Sequence, residues 1–304
     1  MRFNKNAHSL SNEGRIYKII IHIAMIVTCC ICLYAFLIVL GISFQSQDEI
    51  YKIGYSAIPH KFSLESYKYI FNSPEKIMNS YIVTIITTVS GMIIGLWLSS
   101  TIGYVMSRKD YPYKKALSIY VLITMLFNGG MVASYIVMTK YLHLYDNIWV
   151  LILPGLMSPW NIMIMKSFFA DVPDAVIESA KIEGAGEFQI FTQIVLPMSK
   201  PVMAAIGLFI ALSYWNNYMQ SLLYIETEKL FTLQYTLMKI LTDMDFLNSA
   251  QAADTGILDM LNGSVPMENA RMAMCVIAAG PILLVFPFFQ KYFAKGLTVG
   301  AVKG

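Results

Sequence analysis

Six runs without a single Asp, Glu, Lys or Arg restrict what this chain can fold into: residues 19–47, 77–107, 116–139, 148–165, 201–225 and 272–290. Each is about the length, roughly 17–25 residues or more, that a helix needs to cross a bilayer core about 30 Å thick. Only a structure that satisfies its own backbone is stable there, and helices do so within one segment. Of the 304 residues 57% are hydrophobic and 13% charged, against about 25% charged in soluble domains. Six spans leave little room for a separate soluble domain. The fold class expected is an all-α membrane protein with six transmembrane helices over 19–290, flanked by polar ends at 1–18 and 291–304.

The charges between the runs indicate sidedness. Residues 1–18, 107–115, 166–200 and 291–304 hold 14 Lys and Arg; the alternating stretches 42–76, 140–147 and 226–271 hold 8. Among short loops, "SRKDYPYKK" carries four basic residues and "KYLHLYDN" one. The positive-inside rule then puts both termini in the cytoplasm. The first apolar run is long and lacks a small-residue cleavage site, so it reads as an uncleaved span. A net charge of +3 says little about partners, and no nucleic acid is expected.

Cys29, Cys30, Cys32 and Cys275 all lie inside apolar runs. Without His or carboxylate at ligand spacing they read as small buried hydrophobes, and no metal is expected. Gly91, Gly95, Ser99 and Gly103 recur every four residues, a stripe that lets two helices approach closely. It reads as packing within the chain rather than a homodimer seam. "FNGGMVAS" interrupts the third run, and Pro154, Gly155 and Pro159 the fourth. Such breaks are tolerated at membrane depth where other helices or a wet cavity satisfy the freed groups. Outside, residues 42–76 are polar and aromatic, with "SLESYKYIF" expected as a short helix capped by Ser63. The long segment 226–271 reads as loop.

No phosphate-binding GxxxxGK[ST], HExxH, GxSxG or CxxC is present; nothing suggests an enzyme. No span carries a central Asp, Glu, Lys or Arg, the groups that ion-coupled carriers need. If the chain transports, its energy comes from another subunit.

The polar block at 168–200 is the exception in the apolar middle. Pro173 sits in the first turn of an expected helix, with Asp171 or Asp174 near its positive end. "AVIESAKIE" is helix-prone, and Gly184 stops it. In a second helix, "GEFQIFTQIVL", Phe188, Phe191 and Val195 fall at i, i+3 and i+7, and Pro197 is expected to end it. Two short helices joined at a glycine suit a knob that docks into a groove on another protein. A helix pair lying on the lipid headgroups would show the same amphipathicity.

Glu178, Ala180, Gly184, Ile194 and Pro197 stand where the EAA signature of ABC importer permeases has its E-x-A, G and I-x-x-P. Ser179 replaces a usual alanine, and Glu183 a common aspartate. "FNGGMVASYIVMTKYLHLYDNIWVLILPG", "YWNNYMQSLLYI" and "FPFFQKYFAKGLTVGAVKG" are similar to the carbohydrate-type permeases of that family. Within it the chain resembles the branch named for LplC and YtcP, related to the smaller maltose-transporter permease.

The resemblance implies the type I importer fold and a heteromeric complex in a bacterial plasma membrane. Its partners would be a second permease subunit, two ATPase subunits and an extracytoplasmic solute-binding lipoprotein, with an oligosaccharide as solute. No cofactor is expected in this chain; ATP and Mg would belong to the ATPase subunits. By the same resemblance Glu178 meets a basic residue of the ATPase, with Ala180 and Glu183 beside it. Gly184 provides the turn, Phe188, Phe191 and Ile194 pack the second helix, and the tail "KGLTVGAVKG" lies near the ATPase.

Along the fifth run Trp215 lies roughly 21 Å from the inner end, past the midplane. Trp215, Asn216, Asn217 and Tyr218 combine flat faces with amide groups, which suits sugar rings; an interfacial aromatic belt would look alike. Asn128 and Asn161 are further pathway candidates, or interhelical hydrogen-bond donors. Competing readings are an ABC permease for a non-sugar solute, a self-sufficient secondary carrier and a membrane scaffold.

Overall fold

Nothing interrupts the first apolar run. In the computed structural model, which describes residues 12–72, 74–247 and 268–300, its residues 19–43 lie within one helix, α1 (Asn12–Ser43), and 44–46 form a turn beyond it. The side chains of α1 are exposed from residue 17 to 37, so this all-round apolar helix relies on lipid or protein to cover it. Residues 12–72 form one compact unit with 244–247 and 268–277. Beyond Ser43 the polar segment folds into α2 (Gln47–Ile53) and α3 (Glu65–Ile70). The Glu49 carboxylate accepts from the backbone N–H groups of His60 at 2.8 Å and Lys61 at 3.4 Å. Phe44 stacks on both Phe62 and Tyr67. The buried Asn269 side chain donates to the Gln45 carbonyl at 3.1 Å. Ser63 sits one residue ahead of the cap position, which Leu64 holds; its Oγ accepts from the Glu65 N–H at 3.3 Å.

The second unit, residues 74–243 with 278–300, begins with α4 (Pro74–Ser107). Its 34 residues make it about 51 Å long. The third run is split into α5 (Lys114–Leu126) and α6 (Gly130–Tyr141), bent by 111°. Asn128 shapes the break: its Oδ1 accepts from the Gly130 N–H at 2.9 Å. The fourth run is split into α7 (Ile148–Gly155) and α8 (Pro159–Ala170), bent by 48°. Two amphipathic helices follow, α9 (Asp174–Ile182) and α10 (Glu187–Met198). Then come α11 (Lys200–Trp215), α12 (Met219–Tyr224), α13 (Leu233–Leu247) and α14 (Glu268–Gly300).

The small-residue stripe of α4 is used inside the chain. Gly95 faces the Leu156 carbonyl oxygen, 2.9 Å from where a Cβ would sit, and Gly103 faces Met165, 2.7 Å from its Cβ. Gly91 and Gly155 line a slot for the Tyr214 ring, which a methyl group at either position would strike. In that slot the Tyr214 hydroxyl donates to the Ile152 carbonyl at 2.5 Å. The tightened end of α7 sends the Leu156 N–H to Leu153 instead, so Tyr214 satisfies a carbonyl that the break frees.

Among the described residues three helices are individually long and apolar enough to cross a membrane: Tyr17–Ser43, Pro74–Ser107 and Glu268–Gln290. Bent pairs make up the other three. For the fifth, α10 and α11 meet at 84°, yet α10 carries the ion-paired Glu187 and belongs to the polar block. The span itself is α11, 16 residues or about 24 Å, continued after a break at 216–218 by α12. That break divides the unbroken run expected over 201–225.

Loops group at opposite ends of α4. Lys109 Nζ bonds Asp174 at 2.6 Å beyond its C-terminal end. At the other end Lys76 pairs with Glu228 at 2.9 Å. Asp146 there accepts from the N–H groups of Glu226 and Thr227 and from the Thr227 hydroxyl. The loop 108–113 thus meets the polar block, and the loop at Asp146 meets 226–227. Within 226–271, expected as loop, residues Leu233–Leu247 instead form α13, and residues 248–267, like 1–11, 73 and 301–304, lie outside the described residues.

Candidate functional site

The polar block folds as a helix–glycine–helix unit. Pro173 stands at the N-cap of α9 and Asp174 opens its first turn, where a carboxylate favours the helix dipole. Glu183 caps the other end, and Gly184 follows with φ +84°, a conformation costly for residues with a Cβ. The Gly184 N–H returns to the Lys181 carbonyl at 3.0 Å and the Ala185 N–H to the Ala180 carbonyl at 2.9 Å. These two bonds are the Schellman pattern, so Ala180 and Gly184 act in one turn. Gly186 then caps α10, with the Gln189 Oε1 accepting from the Gly186 N–H at 3.1 Å.

One face of the unit is buried. Ile177, Ala180, Ile190, Phe191 and Val195 join a core with Tyr104 of α4 and Met165 and Phe169 of α8, and Ile194 packs against it. Phe191 is the anchor, its ring 5.0 Å from Tyr104 and 5.8 Å from Trp97. The other face is open and partly apolar. Ile182 is 87% exposed and Phe188 68%, and Glu178 and Glu183 are exposed beside them. Glu178 and Ile182, four residues apart, share one stripe.

Two expectations for α10 need correction. Phe188 leans edge-on against Trp97 at 6.4 Å and leaves most of its surface open rather than filling the core. Pro197 does not end the helix, which continues to Met198 and breaks at Ser199. A π stretch, Ile190–Val195, precedes the proline; widening the turn relieves the clash of the ring with the carbonyl four residues back.

An ionic network ties this unit to the loop after α4. The Tyr104 hydroxyl donates to Glu187 Oε2 at 2.6 Å. Lys181 Nζ bridges Glu187 Oε1 at 2.8 Å and Asp110 Oδ2 at 2.7 Å, and Arg108 reaches Asp110 at 3.2 Å. The hydrogen bond from Lys181, helped by Arg108, holds the Asp110 carboxyl at about 2. Burial pushes the Glu187 carboxyl up, but hydrogen bonds from Lys181 and Tyr104 outweigh it and keep it below its ordinary value. Those two carboxylates in turn raise the Lys181 ammonium. None of these five residues stands out in the sequence. Tyr104 sits in an apolar run, and the others read as ordinary loop charges. Tyr104 and Glu187 lie 83 residues apart, and Asp110 and Lys181 71.

The pathway candidates divide. Trp215 is 5% exposed, and its indole N–H donates to the Ala278 carbonyl at 2.9 Å. Asn217 accepts from the Gln220 N–H at 3.2 Å, supporting the start of α12. Asn216 is exposed at the end of α11, its amide on the Leu212 carbonyl at 2.9 Å, and Tyr218 is exposed beside it. The break at 216–218 brings these four to one place. Asn128 and Asn161 lie at other breaks, Asn128 exposed between α5 and α6 and Asn161 buried in the first turn of α8.

Residues 91–299 match the family described as "Binding-protein-dependent transport system inner membrane component". The chain is 39% identical over 293 residues to the "Polygalacturonan/rhamnogalacturonan transport system permease protein YtcP" of Bacillus subtilis (strain 168), covering 96% of this chain and all of that one. It is 38% identical over 276 residues to "Protein LplC" of the same organism, covering 90% of each. Among solved structures it is similar to a chain of a bacterial ABC transporter involved in the import of the acidic polysaccharide alginate. That match has a TM-score of 0.78 and 27% identity, covering 93% of this chain and 98% of the other.

Proposed function

The chain belongs to the family of binding-protein-dependent transport system inner membrane components, and from that premise we propose how it works. It is the permease subunit of an ATP-driven importer, with the type I importer fold, and it takes a carbohydrate solute inward. The solute is oligosaccharide-like, a reading supported by the polysaccharides named for the relative YtcP and the alginate importer.

Energy enters from outside this chain. Of the two ATPase subunits that hold ATP and Mg, one docks on the open face of α9 and α10. Glu178 meets a basic residue there, while Ile182 and Phe188 bury against the groove. The observation that carries this reading is the two-faced knob: Phe191 sealed in the core at 3% exposure while Ile182, five residues after Ile177, stays 87% exposed. Phe188 on α10 is exposed as well, so both helices leave large apolar side chains open, the kind of surface that a partner covers. Both termini face the cytoplasm, as the loop charges require. A second permease completes the path, and a solute-binding lipoprotein delivers cargo at the end marked by Asp146 and Glu228. Asn216 and Tyr218, both exposed, line the path near that end, with Asn128 as a further contact, while Trp215 and Asn217 hold the break behind them.

The test is co-purification from cells expressing the whole operon, followed by uptake of labelled oligosaccharides into vesicles. The ATPase subunits should stay bound to the wild type. Ile182→Asp should strip them off, and a variant that keeps them with full uptake overturns the docking face.

A further inference from the structure

We propose that Tyr104, Lys181 and Glu187 form a positioning latch that makes the docking helices and α4 move as one body. The inference rests on the docking reading above and adds how displacement of the knob reaches the spans. Glu187 opens α10, Lys181 ends α9, and Tyr104 lies near the end of α4. One carboxylate thus joins all three helices, through bonds of 2.6 and 2.8 Å. Lys181 continues the tie to Asp110 in the loop after α4. Arg108 Nε stands 4.0 Å from the same Glu187 oxygen that Tyr104 holds, close enough to favour the carboxylate electrostatically. Without the latch, α10 still rests on α4 through Phe191, a contact with no directional bond. A ring contact alone leaves the angle between two helices less defined; a charge-assisted bond fixes both distance and angle. The glycine stripe then carries the motion of α4 directly into α8 and Tyr214, since side chains there have no free space to absorb a shift. Tyr104, Lys181 and Glu187 are therefore positioning residues rather than contacts of ATPase or solute.

Electron-spin distance measurement on the complete importer tests this. Labels go at Gln193 on α10 and Met78 on α4, both exposed, in a chain whose native cysteines are replaced. The Gln193–Met78 distance is read before and after trapping the ATPase with MgATP and vanadate. In the wild type it should stay unchanged. In Tyr104→Phe, which keeps the ring packing, and in Lys181→Met, trapping should split it into a second population. Lys181→Arg should restore the single distance. A distance that shifts on trapping in the wild type overturns the latch, and so does one that stays single in both variants. Earlier melting or loss of the ATPase subunits in Tyr104→Phe would make the bond merely structural and also overturns it. A wild-type complex that holds no ATPase subunits overturns the docking reading, and the latch with it.

Discussion

The Tyr214 hydroxyl reaches 62 residues back along the chain to the Ile152 carbonyl, 2.5 Å away, and closes the gap that the α7–α8 break opens in the backbone ladder. Tyr214→Phe removes the donor and leaves a buried carbonyl unpaired, at a cost of about 1–3 kcal/mol. The purified complex should melt earlier in a thermal scan. Gly91→Ala should be worse, because its methyl meets the Tyr214 ring, whereas at Gly207 the nearest atom lies 3.6 Å away. Equal melting of the Gly91 and Gly207 variants would mean that the ring has somewhere else to go.

Gly184→Val should release the ATPase subunits, or keep them and separate hydrolysis from uptake. A Cβ there meets nothing within 4 Å, so the harm is conformational: β-branched residues avoid positive φ. Gly184→Asn should be milder, since asparagine tolerates that region better. Glu178→Lys should act like the valine variant by placing like charges together, and a Lys or Arg to Glu change on the ATPase should restore part of it. All three chains should insert normally. Normal uptake by both Gly184→Val and Glu178→Lys would leave α9 and α10 a surface pair.

Introduced cysteines at 109, 146 and 228 report sidedness in a cysteine-free chain. A membrane-impermeant thiol reagent added to intact cells should label 146 and 228 and spare 109. Labelling at 109 would reverse the topology.

Acid should leave the network intact until far below neutrality. Asp110 titrates at about 2 rather than 3.8, and Lys109 likewise lowers Asp174. A lowered carboxylate contributes stability above its unfolded value and loses it as pH falls toward the folded one. Hydrogen exchange in α9 and α10 of the isolated permease should therefore be unchanged, after correction for intrinsic rates, from pH 7 to 5. It should quicken as the pH drops from 3.8 toward about 2. Quickening already between pH 7 and 5 would place control in another group.

Asn216→Ala and Tyr218→Ala should lower oligosaccharide uptake with the complex intact. Trp215→Ala should lower both, because emptying a buried indole site costs about 3–5 kcal/mol. Full uptake by the Asn216 and Tyr218 variants would leave this cluster an interfacial belt.

The spans and the knob were legible because each rests on local pattern: charge-free length for one, Gly184 between two apolar-faced helices for the other. Where the break at 216–218 falls was not, since Trp215 to Tyr218 carry no proline or glycine to mark it. Tyr104–Glu187 was hidden for a different reason. A single sequence states which charges exist but not which ones meet, and this pair meets only after α9 and α10 fold back on α4. Phe188 misled because its spacing fits a buried stripe, yet it lies just ahead of the π stretch of α10, where Ile190, Phe191 and Val195 form the buried face.

Asn269 bonds a carbonyl made 224 residues earlier, and Ala278, nine residues further along α14, accepts from Trp215. Both units therefore wait for the same late segment. During synthesis Gln45 and Trp215 are in the membrane region long before their partners leave the ribosome. A chain cut short ahead of residue 268 lacks both at once, and so offers quality-control proteases two unfinished units rather than one usable half.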